Sequence, residues 1–300
     1  MNPIIFSLAE HSLAASLCDA LHAEAGVLNS RSFPDGESYL RIKSIVKNRQ
    51  CIILADMSYP DKKFLPLSFL ISTLKELEAA SVGLVAPYLS YMRQDRRFVD
   101  GEAVTSRIFA QLLSQQFDWL VTVDPHLHRY HSLDEIYTIP SRVVQGAPVL
   151  ADWLSSEKDV FLVGPDSESE QWVSEIASKS GHPFVIGEKQ RHGDRDVKVS
   201  LPDLSEFKSK TAVIIDDVIS SGQTILECML TLKAHGIAKI KCACVHGIFA
   251  DDIDKVLLKS GLQQLLSTNT IAHSSNKLDV TRLLIAPIKE CLKLGGGEQL

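Results

Sequence analysis

No basic excess runs through this sequence: 31 lysines and arginines stand against 37 aspartates and glutamates, a formal charge of −6. A nucleic-acid partner is therefore not expected, and any polyanionic ligand needs a local basic cluster. No stretch approaches the roughly 18 uninterrupted apolar residues of a membrane helix, and Met1–Glu10 lacks a basic leader. Neither membrane association nor secretion is expected, and the default compartment is cytoplasmic. The six cysteines are scattered, with only Cys242 and Cys244 close together, in a strand-like run. They read as small apolar residues in a reducing compartment. Neither a P-loop pattern nor the dinucleotide glycine fingerprint occurs, so the common ATP and NAD folds have no support. Short repeats are absent, and low complexity is confined to the Gly295–Gly297 tail.

What is present is ordinary globular material, 45% apolar and 23% charged, in a chain of 300 residues that predicts two domains of roughly 150 each. Short β-branched runs alternate with helical patterns. Cys51–Leu54, Val82–Ala86 and Leu120–Val123 read as strands, separated by helices over Leu67–Ala79 and Ser106–Gln116. The rhythm resumes with helix Val149–Leu154, strand Val160–Val163, helix Glu170–Lys179 and strand Phe184–Ile186. Strand Ala212–Ile215, helix Ile225–Ala234 and strands Ile240–Val245 and Gln264–Ser267 complete it. This is the βαβ pattern of parallel sheets, with a boundary near Pro140–Pro148. The expected domains are residues 1–142, which a terminal helix over 286–300 is free to join, and residues 143–285. The polar stretch Gln190–Asp196 reads as an exposed loop.

The most specific segment is Val213–Thr224, an apolar strand followed by two acids, a hydroxyl-rich loop and a helix. Backbone N–H groups from Ser220 to Thr224, including Ser221, Gly222 and Gln223, would form an anion nest at the positive end of that helix. Gly222 permits close approach, and the hydroxyls add donors without charge. Asp216 and Asp217 offer acceptors for a vicinal diol, or ligands for a metal held through water. Phosphate plus cis-diol points to a ribose 5-phosphate group.

Three other segments carry chemistry. Arg93, Gln94, Arg96 and Arg97 place donors just past a strand end, where open α/β sheets bind ligands. Arginine's fork suits phosphate oxygens, and glutamine's amide can read an adenine edge. Phe33-Pro-Asp-Gly-Glu37 is a turn that can present an aromatic face with Asp35 and Glu37 beside it. Asp124 and His126 follow a strand at alternate positions, and on an extended chain they share a face and could meet one metal or phosphate. His128 and His131 extend that cluster, but without cysteines a zinc site has little support.

Asp216–Thr224 resembles the phosphoribosyl pyrophosphate (PRPP) motif of the type I phosphoribosyltransferase fold. Phe33–Glu37, Pro87–Arg97, Gly101–Arg107, Val123–His126, Val163–Asp166 and Glu188–Arg191 resemble, in order, segments of the ribose-phosphate pyrophosphokinase (PRPP synthetase) family. The form of Glu188–Asp196 and Val245–Phe249 is most similar to its short archaeal-type members. The resemblance implies two tandem parallel-sheet α/β domains and a Mg2+-assisted transfer from ATP to ribose 5-phosphate. It implies ATP contacts at Phe33, Asp35, Glu37, Arg93, Gln94, Asp95 and His126, with His126 and Asp166 toward metal. It further implies a homo-oligomer in which the Phe33 turn reaches a neighbour's adenine. Lys189 and Arg191, at the edge of the polar loop, become the candidates for stabilising charge in the transition state.

One departure stands out. Family members usually carry two glycines close behind the acid matched by Asp166, whereas this chain reads Ser167-Glu168-Ser169. At about 6 Å and an effective dielectric of about 20, a Glu168 charge would repel a phosphate by roughly 3 kcal/mol. Alternatives are therefore a weakly active, regulatory relative or, less in keeping with the first domain, a phosphoribosyltransferase.

Overall fold

The computed structural model describes residues 1–127, 129–191 and 197–295. The chain divides into two compact units, Met1–Gln145 with Thr281–Leu300, and Gly146–Val280.

The first unit runs β1 (Ile4–Phe6), α1 (Leu13–Leu21), β2 (Glu24–Ala25), β3 (Leu28–Ser32), β4 (Ser38–Ile42), β5 (Gln50–Leu54), α2 (Asp61–Glu76), β6 (Ser81–Ala86), α3 (Thr105–Gln116), β7 (Trp119–Val123) and β8 (Ser141–Val144). Six strands form a sheet in the order β2-β1-β5-β6-β7-β8, and every neighbouring pair is parallel. β6 and β7 are buried at every position, because helices on both faces leave no solvent side for polar residues. Gly83 in β6 is a packing glycine, since a Cβ there would collide with the Trp119 ring. β3 and β4 stand outside the sheet as an antiparallel hairpin. That hairpin, β1, α1 and β8 are elements the sequence pattern did not reveal.

The second unit runs α4 (Ala147–Leu154), β9 (Val160–Gly164), α5 (Glu170–Ser180), β10 (Phe184–Ile186), β11 (Glu188–Arg191), β12 (Val197–Ser200), β13 (Thr211–Ile219), α6 (Gln223–Ala234), β14 (Ile240–Gly247), α7 (Ile253–Lys259), β15 (Gln264–Thr268) and β16 (Asn276–Leu278). Its sheet has the order β10-β9-β13-β14-β15-β16, again all parallel. Here too an antiparallel hairpin, β11–β12, stands outside the sheet. The polar stretch expected as a loop from Gln190 therefore begins inside a strand. Residues 192–196, which connect the hairpin, lie outside the described residues. The chain then closes with α8 (Thr281–Gly295), tied to the first unit where Gln50 Nε2 donates to Leu292 O at 2.5 Å and Arg142 pairs with Glu290 at 3.2 Å.

Candidate active site: two half-sites

In the second unit the winding reverses between β9 and β13, since β9 leads to β10 on one side and β13 to β14 on the other. The loops at such a switch point diverge and leave a crevice at the carboxyl ends of the strands. β9 sends Asp166 to this crevice, and β13, in register through Ile214 and Val163, sends Asp216 and Asp217. Burial holds the Asp216 carboxyl well above the ordinary carboxylate range; the charges of Asp217 and Asp166 push it further, and Lys189 pulls it back. Lys189 Nζ meets Asp166 Oδ2 at 2.9 Å, with both side chains mostly buried. Among the described residues, three carboxylates thus share the crevice with one ammonium. Lys189 comes from strand β11, so a hairpin rather than a free loop presents it. Arg191 ends the same strand, and its side chain lies outside the described residues.

Past β13 the backbone turns through Ser220, Ser221 and Gly222 into α6. Gly222 sits at φ +65°, and a Cβ there would collide with Ile253, so both conformation and space require glycine. The turn is strapped from behind: Ala250 N–H donates to Ser220 O at 3.0 Å, and the N–H groups of Ile248 and Phe249 donate to Ile219 O at 3.0 and 3.1 Å. The first bond of α6 runs from Leu226 N–H to Gly222 O. At that positive helix end the N–H groups of Gln223, Thr224 and Ile225 and the hydroxyls of Ser221 and Thr224 have no partner among the described residues. Such an arrangement accepts an anion.

The Ser167-Glu168-Ser169 departure forms a single 3-10 turn. Asp166 caps it, accepting the Ser169 N–H at 3.2 Å, while the Ser169 hydroxyl donates to Asp166 O at 2.6 Å. Glu168 is exposed on that turn, where water screens its charge.

The first unit's half-site is built differently. After β6 the chain enters a loop held by several internal bonds, although the buried Ser90 hydroxyl has no partner among the described residues. Asp95, expected among the ligand contacts, turns its carboxylate inward to Arg129 at 2.7 Å, and its carbonyl accepts the Tyr130 hydroxyl at 3.2 Å. Gln94 O accepts the Ser106 N–H and Gln94 Oε1 the Thr105 hydroxyl, each at 3.3 Å. Arg97 Nε donates to Glu102 O at 2.9 Å, while the Glu102 carboxylate accepts the N–H groups of Phe98 and Val99. Arg93 and Arg96 are exposed, and Gln94 is half-buried. Arg96 lies 4.8 Å over the Phe98 ring.

Phe33 tops the β3–β4 hairpin, its N–H donating to Glu37 O at 2.7 Å and Asp35 accepting the Glu37 N–H at 3.1 Å. Asp35 and Glu37 are exposed. Phe33 packs edge-on to Tyr39, and the Arg31 guanidinium lies 4.4 Å over Phe33 and 4.7 Å over Tyr39. Asp124 and His126 do follow β7 directly, but the backbone there is not the extended one that the shared-face expectation requires. Their φ angles are +33° and +57°, so the chain leaves the extended state at once and period-two alternation no longer applies. His128 lies outside the described residues, and His131 donates its N–H to Glu135 at 2.6 Å.

Residues 3–116 match the N-terminal domain of ribose phosphate pyrophosphokinase, and residues 132–272 match a phosphoribosyl transferase domain. A ribose-phosphate pyrophosphokinase of Methanothermobacter thermautotrophicus is 33% identical over 95% of this chain and 97% of its own length. The chain belongs to the ribose-phosphate pyrophosphokinase family. The enzyme of that name from Methanobrevibacter smithii is 30% identical over 96% of this chain and 100% of its own. The fold is that of the phosphoribosylpyrophosphate synthetase of Mycobacterium smegmatis, with a TM-score of 0.84 at 23% identity over 98% of this chain and 100% of that one.

Sequence reasoning about this pyrophosphokinase-family chain missed Arg129 and Arg31. Arg129 meets Asp95 across 34 positions, a separation no local spacing encodes. Arg31 had a findable signal, because it lies in β3 two residues before Phe33, and its guanidinium lies over that ring.

Proposed function

We propose that this chain moves the terminal diphosphoryl group of ATP to the anomeric hydroxyl of ribose 5-phosphate, releasing AMP and PRPP. The observation that carries the reading is the anion-accepting turn Ser220–Thr224 beside Asp216 and Asp217 at a sheet switch point. The turn takes the 5-phosphate, with N–H groups and hydroxyls fixed before the ligand arrives. The acid pair takes the ribose diol. Phe33, Arg93 and Gln94 take the nucleotide, with Asp35 and Glu37 near its polar edge, while Asp95 braces the loop through Arg129. Lys189 stands beside the acceptor acids, ready to leave Asp166 for the transferring phosphoryl oxygens as their charge spreads. Arg191, two residues further on the same strand, is assigned the same task.

Hard oxygen donors in excess of positive charge suit Mg2+. No group of three His, Cys, Asp or Glu side chains among the described residues is arranged to hold a metal ion by itself. Asp166 and His126 would complete the coordination of an ion carried in on phosphates. When bound, the ion neutralises phosphate charge and fixes the in-line approach.

Phosphorus NMR of the protein with ATP, Mg2+ and ribose 5-phosphate tests the reading. AMP and PRPP should appear together in equal amounts. ADP as the sole product means ordinary kinase chemistry, and nucleotide binding without turnover means a regulatory relative. Assembly is tested by mixing inactive Phe33→Ala with inactive Lys189→Ala: activity recovered after subunit exchange places the Phe33 turn in a neighbour's site.

A further inference from the structure

The sugar-phosphate turn is only as well placed as the strap behind it, and that strap is an expensive conformation. Phe249, Asp251 and Asp252 all lie in the left-handed region, with φ of 47°, 56° and 55°. Side-chain-bearing residues hold such angles only where their surroundings over-determine them. The same short segment supplies the N–H groups that bind Ile219 O and Ser220 O, and Ile253, which fills the space beside Gly222.

The over-determining contacts converge on His273. Its ring packs on Phe249 with centroids 4.6 Å apart and planes at 49°. Its Nδ1 accepts the Ser275 N–H at 3.2 Å and lies 2.8 Å from the Ser275 hydroxyl. Because that backbone N–H can only donate, Nδ1 is the acceptor and the ring hydrogen sits on Nε2, and that nitrogen lies 3.4 Å from Asp254 Oδ2, within ion-pair range. Asp254 lies in the first turn of α7, next to Ile253. Ser275 in turn reaches the fully buried Ser267 of β15 at 2.6 Å, which ties the assembly to the sheet.

We propose that His273 and Asp254 are positioning residues for the sugar-phosphate turn, acting through Phe249 and Ile253 to hold Ser220–Gly222 in its anion-accepting shape. The inference rests on the reading of that turn as the ribose 5-phosphate site. A misplaced turn loses the 5-phosphate equally in the ground and transition states, so the effect falls on substrate affinity and not on turnover.

The test measures kcat and KM for both substrates, with calorimetric binding of ribose 5-phosphate, in wild type, His273→Ala, His273→Gln and Asp254→Asn. His273→Ala should raise KM and Kd for ribose 5-phosphate about ten-fold, the loss expected when one ordinary hydrogen bond and its ring packing are removed, with kcat and the ATP KM near wild type. His273→Gln, whose amide nitrogen can stand in for Nε2, should recover part of it. If His273→Ala fails to fold, the near-isosteric Asp254→Asn carries the same expectation. Unchanged ribose 5-phosphate affinity in folded variants, or equal losses in both substrates' KM and in kcat, overturns the proposal. Wild type that does not bind ribose 5-phosphate at all sinks the functional reading instead.

Discussion

The two units repeat one plan, a six-stranded parallel sheet with an antiparallel hairpin outside it, yet they treat the switch point in opposite ways. In the second unit the β9/β13 crevice gathers three carboxylates, one ammonium and an open helix terminus. In the first unit the equivalent place, between β1 and β5, is stitched shut. Ser7 spans from β1 to Leu54 O at 3.1 Å, and Asp56, just past β5, is held by Lys63 at 2.8 Å and by the Ser58 N–H at 2.7 Å. The first unit instead exposes its donors one strand further on, after β6. Topology offers a crevice in both units, and the groups placed at it differ: carboxylates beside an open helix terminus in one, a hydroxyl and a lysine–carboxylate pair in the other.

Breaking the open crevice should cost most. Lys189→Ala is expected to lower kcat by about 10²–10³, roughly 3–4 kcal/mol, with both Michaelis constants little changed, because the turn and the arginine loop still hold the substrates. Arg191→Ala should act similarly, and the double variant should fall short of additivity if both side chains meet one phosphoryl group. Steady-state kinetics with calorimetry decides this. Normal turnover with weakened ATP binding would make the lysine a simple binding contact.

Gly222→Ala strains the turn twice, through φ +65° and through the clash with Ile253. The KM for ribose 5-phosphate should rise between about ten- and hundred-fold, or roughly 1.4–2.8 kcal/mol, while binding of ATP alone is unaffected. Equal effects on both ligands would mean that the damage spreads beyond the second unit.

Asp216→Asn sharpens the contrast by stability rather than rate. The Asp216 carboxyl sits well above its ordinary range, chiefly through burial and then through Asp217 and Asp166, so the folded chain binds that proton more tightly than the unfolded one. The stabilisation this provides is complete at acid pH and is lost as pH rises through the raised folded value. At pH 8 without ligand the asparagine variant should therefore melt higher than wild type, by about 2–4 °C if about 1 kcal/mol is relieved. Below the ordinary carboxylate range the difference should vanish. A variant less stable at pH 8 would show that Asp216 is compensated in a way the four-charge crevice does not provide.

The smallest effect belongs to the closed switch point. Lys63→Met removes a partly exposed pair and should cost about 1 kcal/mol or less, with kinetics unchanged. A large fall in turnover would mean that the first unit uses its switch point after all.

Much of this could be read from residues in order. Unbroken apolar strands such as Val82–Ala86 announced sheets covered on both faces, and Asp216–Thr224 announced an anion turn, because strand, acids, glycine and helix start are contiguous there. The β3–β4 hairpin escaped notice because its mostly polar, exposed strands lack both a buried run and a clean alternation. Local sequence therefore determined which backbone pieces form and where a phosphate can be held, since those depend on neighbours within a few residues. Only the tertiary structure decided that Asp95 serves Arg129, that the chain turns out of the extended state at Asp124, that Lys189 meets Asp166 across 23 positions, and which groups line each of two equivalent crevices. Those outcomes depend on which charges and hydrogen-bonding groups the folded chain brings within about 3 Å of one another, a distance that separation along the chain does not encode.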